Sequence, residues 1–104
     1  MDPVALKSSH LYLSASVAGP VFGSESRAYV VYHADRSALL LAPASFQWFH
    51  KLHKAGQHML KVRNQQGDQT IALHEILIDN DLDDTDRTLD YVIQESTGIL
   101  KITL

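Results

Sequence analysis

In Arg27-Ala28-Tyr29-Val30-Val31-Tyr32-His33-Ala34-Asp35-Arg36-Ser37-Ala38-Leu39-Leu40-Leu41-Ala42, an aromatic and β-branched run, a small and polar tetrad, and a second apolar run follow one another. Such side chains suit a pleated, half-buried surface, and a tetrad containing Asp and Ser suits a reversal. The stretch therefore predicts a β-hairpin of strands Arg27 to His33 and Ala38 to Ala42.

Working outward, Leu11, Leu13, Ala15 and Val17 alternate with Tyr12, Ser14 and Ser16, the period of two of a half-buried strand. Gly19-Pro20 and Gly23-Ser24 mark its exit. On the other side the period changes. Phe46, Trp48, Phe49, Leu52 and Ala55 fall on one side at 100° per residue, and Gln47, His50, Lys51 and Lys54 on the other, which predicts an amphipathic helix over residues 45–55. Ser45 is the expected N-cap and Gly56 the stop. Further on, His58 to Arg63 and Gln69 to Leu73 flank a polar loop containing Gly67, and Thr88 to Glu95 and Ile99 to Leu104 flank Ser96-Thr97-Gly98. Both pairs read as hairpins. Leu73 to Ile78 suits a buried strand or a short helical turn, and the strand is preferred. The expectation is an α+β fold: about seven short strands, in an antiparallel sheet or small half-open barrel, packed against one helix.

The chain has 104 residues, 45% of them apolar and 20% charged, which predicts one globular domain over residues 1–104. The absence of cysteine excludes disulfides, thiolate metal sites and a cysteine nucleophile, and fits a reducing compartment. Leu11 to Gly19 is a poor secretion signal, since Asp2 precedes it and serines interrupt it, and no run is long enough to span a membrane. A cytoplasmic protein without a membrane partner is expected.

Chemistry has few places to reside. His50 and His53 lie three apart on the expected helix and His58 follows closely, a spacing that imidazole-bound zinc, copper or nickel can use. The set falls short of the ligand count of a structural zinc site, and His53, on the helix's apolar side, also suits a core position. Asp79, Asp81 and Asp83 match the opening of a calcium loop, but Asp84, Asp86 and Asp90 stand where that loop needs glycine, an apolar residue and glutamate. A solvated acidic turn is the plainer reading. Ser24 and Ser26 lack a nucleophile elbow, and there is no glycine-rich phosphate loop. No cofactor is expected.

Charge divides unevenly, with a net of +3 over residues 1–74 and −6 over residues 75–104. Lys51, Lys54, Lys61 and Arg63 near the aromatic helix offer a footprint for nucleic acid, which the overall charge of −3 opposes. Self-association, the acidic loop of one subunit against the basic helix or strand of another, fits the asymmetry better.

These readings converge on a non-enzymatic protein-interaction or regulatory module that forms a homodimer or higher oligomer through sheet edges and the helix region, with Tyr12, Tyr29, Tyr32, Trp48 and Phe49 as interface anchors. One alternative is a ligand-binding or metal-dependent enzyme barrel whose cavity uses His33, His50, His53 or His58, which requires a concavity holding them. Another is a nucleic-acid-binding regulator.

Overall fold

The central hairpin forms as expected: β3 (Arg27–His33) and β4 (Ala38–Pro43) pair antiparallel with Val30 opposite Leu41, joined by a 3-10 turn over Ala34–Arg36. The computed structural model that shows this describes residues 3–23 and 25–104. Asp2 and Ser24, which entered the signal and nucleophile arguments, lie outside the described residues. Strands β1 (Val4–Lys7) and β2 (His10–Leu13) precede that hairpin, and β5 (Gly56–Met59), β6 (Lys61–Val62), β7 (Gln69–Ala72), β8 (Arg87–Thr88), β9 (Asp90–Gln94) and β10 (Ile99–Thr103) follow it. They build two five-stranded antiparallel sheets, ordered β6-β7-β2-β1-β8 and β5-β3-β4-β10-β9. The fold is α+β.

Two buried leucines join the sheets. The run His58 to Arg63 reads as one strand in sequence, yet it bends at Leu60, so that β5 pairs with β3 in one sheet and β6 with β7 in the other. Thr88 to Glu95 does the same at Leu89, between β8 and β9. Strands that switch sheets at a bend form the corners of packed-sheet folds. At each corner the backbone stays paired, since Leu60 donates its N–H to the Ser26 carbonyl (2.9 Å) and Leu89 to that of Val4 (3.0 Å).

The inner faces of the two sheets share one core. Val4, Leu6, Leu11, Leu13 and Ile71 meet Val30, Leu39, Leu41, Leu100 and Ile102, all buried. Each such side chain contributes roughly 1.5–3 kcal/mol by leaving water.

Among the described residues three α-helices complete the layers, and two of them correct the sequence reading. The strand expected to run from Leu11 to Val17 stops at Leu13, and α1 (Ala15–Phe22) follows, burying Val17, Ala18, Val21 and Phe22 on one face. Gly19 and Pro20 lie inside this helix, and Gly23, in the left-handed region at φ 56°, closes it. Its N-terminus is capped from a distance: the Asp68 carboxylate accepts the Ala15 N–H at 2.8 Å. The apolar run from Leu73 is likewise not a strand, because α3 spans His74–Asp79 and turns Leu73 and Leu77, one helical turn apart, into the core. The expected amphipathic helix is α2 (Gln47–His53). It ends two residues before Gly56, at Lys54, whose φ of 53° lets its N–H reach the His50 carbonyl at 2.8 Å. Ser45 does not cap it; Phe46 holds that position without a side-chain bond. Among the described residues no helix is long and apolar enough to cross a membrane.

Candidate functional site

The outer face of the β3-containing sheet carries the site, and strand alternation decides what lies there. Tyr29, Val31 and His33 point away from the shared core, as do Leu40 and Ala42 opposite them. Helix α2 covers part of this face through Phe49, which is fully buried against Tyr29, Ala42, Ala55 and Ile99. The docked helix sets its two histidines on different partners. His50 stacks on Tyr29 with ring centroids 5.1 Å apart. His53 packs on Phe49 at 4.7 Å and reaches the end of β3, where His33 Nε2 lies 3.3 Å from His53 Nδ1. At that distance one ring donates and the other accepts, so the pair is bonded only while at least one of the two nitrogens has no proton.

Beside this pair is a concavity of about 190 Å³. Its floor is apolar, made by Ala38, Leu40 and Ile99, and its walls carry His33, His53, Arg36 and Lys101, with the Gln94 amide at one side. Among the described residues no carboxylate lines it. Of the wall residues, Arg36 has Asp35 4.0 Å from its Nε, and both side chains are mostly in water, where such a pair contributes little. Burial, and then the positive groups His33 and Arg36, hold His53 below its ordinary pKa.

The candidate metal sets are not assembled. Among the described residues no three His, Cys, Asp or Glu side chains are grouped to hold a metal ion. The helix turns His50 and His53 to Tyr29 and His33, and His58 sits on β5 beside a more open depression lined by His74 and Glu75. The acidic stretch is a structured turn. Asp83 accepts the Thr85 N–H and hydroxyl, which lowers its pKa, and Arg87 donates to the carbonyls of Asp83 and Thr85. Asp86 accepts the Ser8 N–H at 2.9 Å. Asp79 ends α3 and Asp81 adopts φ 52°, so a helix precedes this turn and strand β8 follows it, unlike the paired helices of a calcium hand.

The proposed interface anchors separate into two groups. Phe49 and Tyr29 are internal, because they are the packing between α2 and its sheet, and neither offers surface to a partner. Trp48 remains 44% exposed, tilted against Phe46 and edge-on to Phe49. Tyr12 and Tyr32 are half-buried. Tyr12, on the outer face of the other sheet, lies under Lys7 and Arg63, and Arg63 Nε donates to its hydroxyl at 3.3 Å. The four basic residues considered for nucleic acid are divided, with Lys51 and Lys54 at α2 and Lys61 and Arg63 at β6 and its loop.

Sequence reasoning missed Arg36 and Lys101 as site residues and did not pair His33 with His53. The alternation of β3 holds a signal: His33 shares its face with Tyr29 and Val31, the face an amphipathic helix after β4 has to cover. Searches against protein-family models, curated proteins and solved structures found no match to this chain.

Proposed function

We propose that this protein is a non-enzymatic interaction module that self-associates through strand β9. The supporting observation is the state of the sheet edges. A free strand edge offers unpaired backbone groups to another chain, and proteins restrain it with short strands, charges or a cover. Here β6 and β8 are two residues long, and β5 begins at a glycine and runs beside α3 residues across a shared depression. Strand β9 is longer, and its one charged residue, Asp90, stands at its first position. Among the described residues it pairs only with β10; it spans five residues and carries Tyr91, Val92 and Ile93 at its centre. Val92 is 58% exposed.

The occupant that fits is a second copy. An antiparallel pairing centred on Val92 sets Val92 against its counterpart, Tyr91 against Ile93, and Asp90 against the uncharged Gln94, so no like charges oppose directly within the strand pair. Such a dimer joins the two β9-edged sheets into one continuous sheet.

Native mass spectrometry and light scattering of the untagged protein and of Val92→Lys test this reading. A dimer that persists in high salt and becomes monomeric in the variant, with an unchanged circular dichroism spectrum, supports it. A wild-type chain that stays monomeric at high micromolar concentration removes it.

A further inference from the structure

We propose that the concavity between the β3–β4 turn, β10 and the C-terminal end of α2 binds a small organic acid, its oxyanion held among Arg36, Lys101 and the His33–His53 pair and its apolar body resting on Ala38, Leu40 and Ile99. The argument starts from placement. Arg36 follows the end of β3, Lys101 is on β10 one strand beyond Leu40, and His53 comes from a helix laid across that face. Three separate parts of the chain thus bring two permanent cations and two cationisable rings to one small hollow. Side chains of one sign repel, and the cost rises as water is displaced, so a site of this kind is completed by an anion. Arg36 presents a planar fork suited to a carboxylate or phosphate, and Lys101 a point charge.

Size and floor narrow the ligand further. At about 190 Å³ the hollow is well below the roughly 300–1,000 Å³ of clefts that take drug-sized molecules. The ligand is therefore of simple-metabolite size. Ala38 and Ile99 are buried and Leu40 partly so, which gives a bare inorganic ion nothing to do with the floor and gives a short hydrocarbon chain a dry surface.

Binding should take up a proton. The groups that face His53 from neighbouring elements are His33, Arg36 and Lys101, all basic, together with the neutral Gln94. In the empty site burial, and then His33 and Arg36, disfavour the His53 imidazolium, and a bound anion opposes that effect.

The test is a titration of the isotope-labelled wild-type chain with sodium butyrate, sodium phosphate and sodium chloride, read by amide and imidazole resonances. The expected result is saturable shifts at residues 33, 36, 53, 94 and 101 with butyrate, tighter at lower pH, and an upward move of the His53 titration when ligand is present. The double variant Arg36→Gln/Lys101→Gln changes two polar surface side chains and should weaken butyrate by about tenfold or more, as expected on losing charge-assisted bonds. Shifts that do not saturate, that chloride reproduces, or that survive the double variant unchanged overturn the site. Saturation by phosphate alone overturns the organic-acid assignment.

Discussion

His33 Nε2 lies 3.3 Å from His53 Nδ1, so a ring at the end of a strand and a ring at the end of a helix share one hydrogen bond twenty residues apart in sequence. His53 has its pKa lowered by burial first and then by His33 and Arg36. The folded chain consequently holds its proton less tightly than the unfolded chain, whose value is near 6.5. Where the unfolded state binds more protons, stability rises with pH, so this contribution is present above 6.5 and is lost as pH falls toward the folded value. Urea unfolding should show a wild type that weakens between about pH 7.5 and about pH 5.5, and a His53→Gln variant with a smaller loss over the same window. Equal slopes for the two proteins would count against His53 as the titrating group.

Asp68 performs a second long-range task, holding the first N–H of α1 from the loop between β6 and β7. Ser14 is well placed to cap this helix, but its hydroxyl bonds Ser16 instead, at 2.7 Å. Asn64 keeps the Asp68 carboxylate in position at 2.9 Å, and the two bonds lower its pKa. A group whose folded pKa is depressed stabilises above the unfolded value and ceases to do so as pH falls through the folded one. Asp68→Ala should lower the melting temperature by several degrees near neutral pH, through loss of the cap, and by less in strong acid where wild-type Asp68 is itself protonated. Scanning calorimetry at both extremes checks it, and a variant equally impaired in acid contradicts it.

These two bonds show what sequence could and could not reveal. The three expected hairpins were legible, because alternation and turn chemistry are local, and so was α2, because its apolar stripe is; β1 and its pairing with β2 were not read. The first helix was hidden, since Leu11, Leu13, Ala15 and Val17 keep a period of two through a segment that is half strand and half helix, and its cap comes from Asp68, 53 residues away. Leu60 and Leu89 look like ordinary strand interiors, and only the closing of one core by two sheets requires them to be corners. The cationic hollow has the same origin: the β4–β10 pairing sets Lys101 beside the turn that carries His33 and Arg36, and His53 joins them only when α2 docks through Phe49.

Docking of α2 therefore depends on Phe49, which is 0% exposed on the outer face of its sheet and belongs to a packing cluster separate from the main core. Phe49→Ala should cost about 3–5 kcal/mol, the usual range for removing a buried aromatic ring. Because Trp48, the only tryptophan, lies against Phe49 with ring centroids 5.9 Å apart, its fluorescence reports the same event. The expected outcome is a red-shifted emission and loss of the His33–His53 contact, with the β-sheet dichroism retained in dilute buffer. An unshifted emission would place α2 docking on other residues.

Gly98, in the turn from β9 to β10, meets both halves of this arrangement. Its φ of 77° is a conformation that residues with a Cβ adopt at a cost, and a Cβ there would stand 3.3 Å from Cε2 and Cζ of Phe46, the residue that opens α2. Gly98→Ala thus combines backbone strain with a clash against the ring that anchors the helix start. The substitution should destabilise by roughly 1 kcal/mol or more, beyond the gain of up to about 1 kcal/mol that alanine gives at compatible sites by restricting the unfolded chain. Phe46→Leu in the same background separates the two causes, because a smaller side chain relieves the clash but leaves the strained φ. Partial recovery of the urea midpoint in the double variant is expected, and no recovery would assign the whole loss to the backbone.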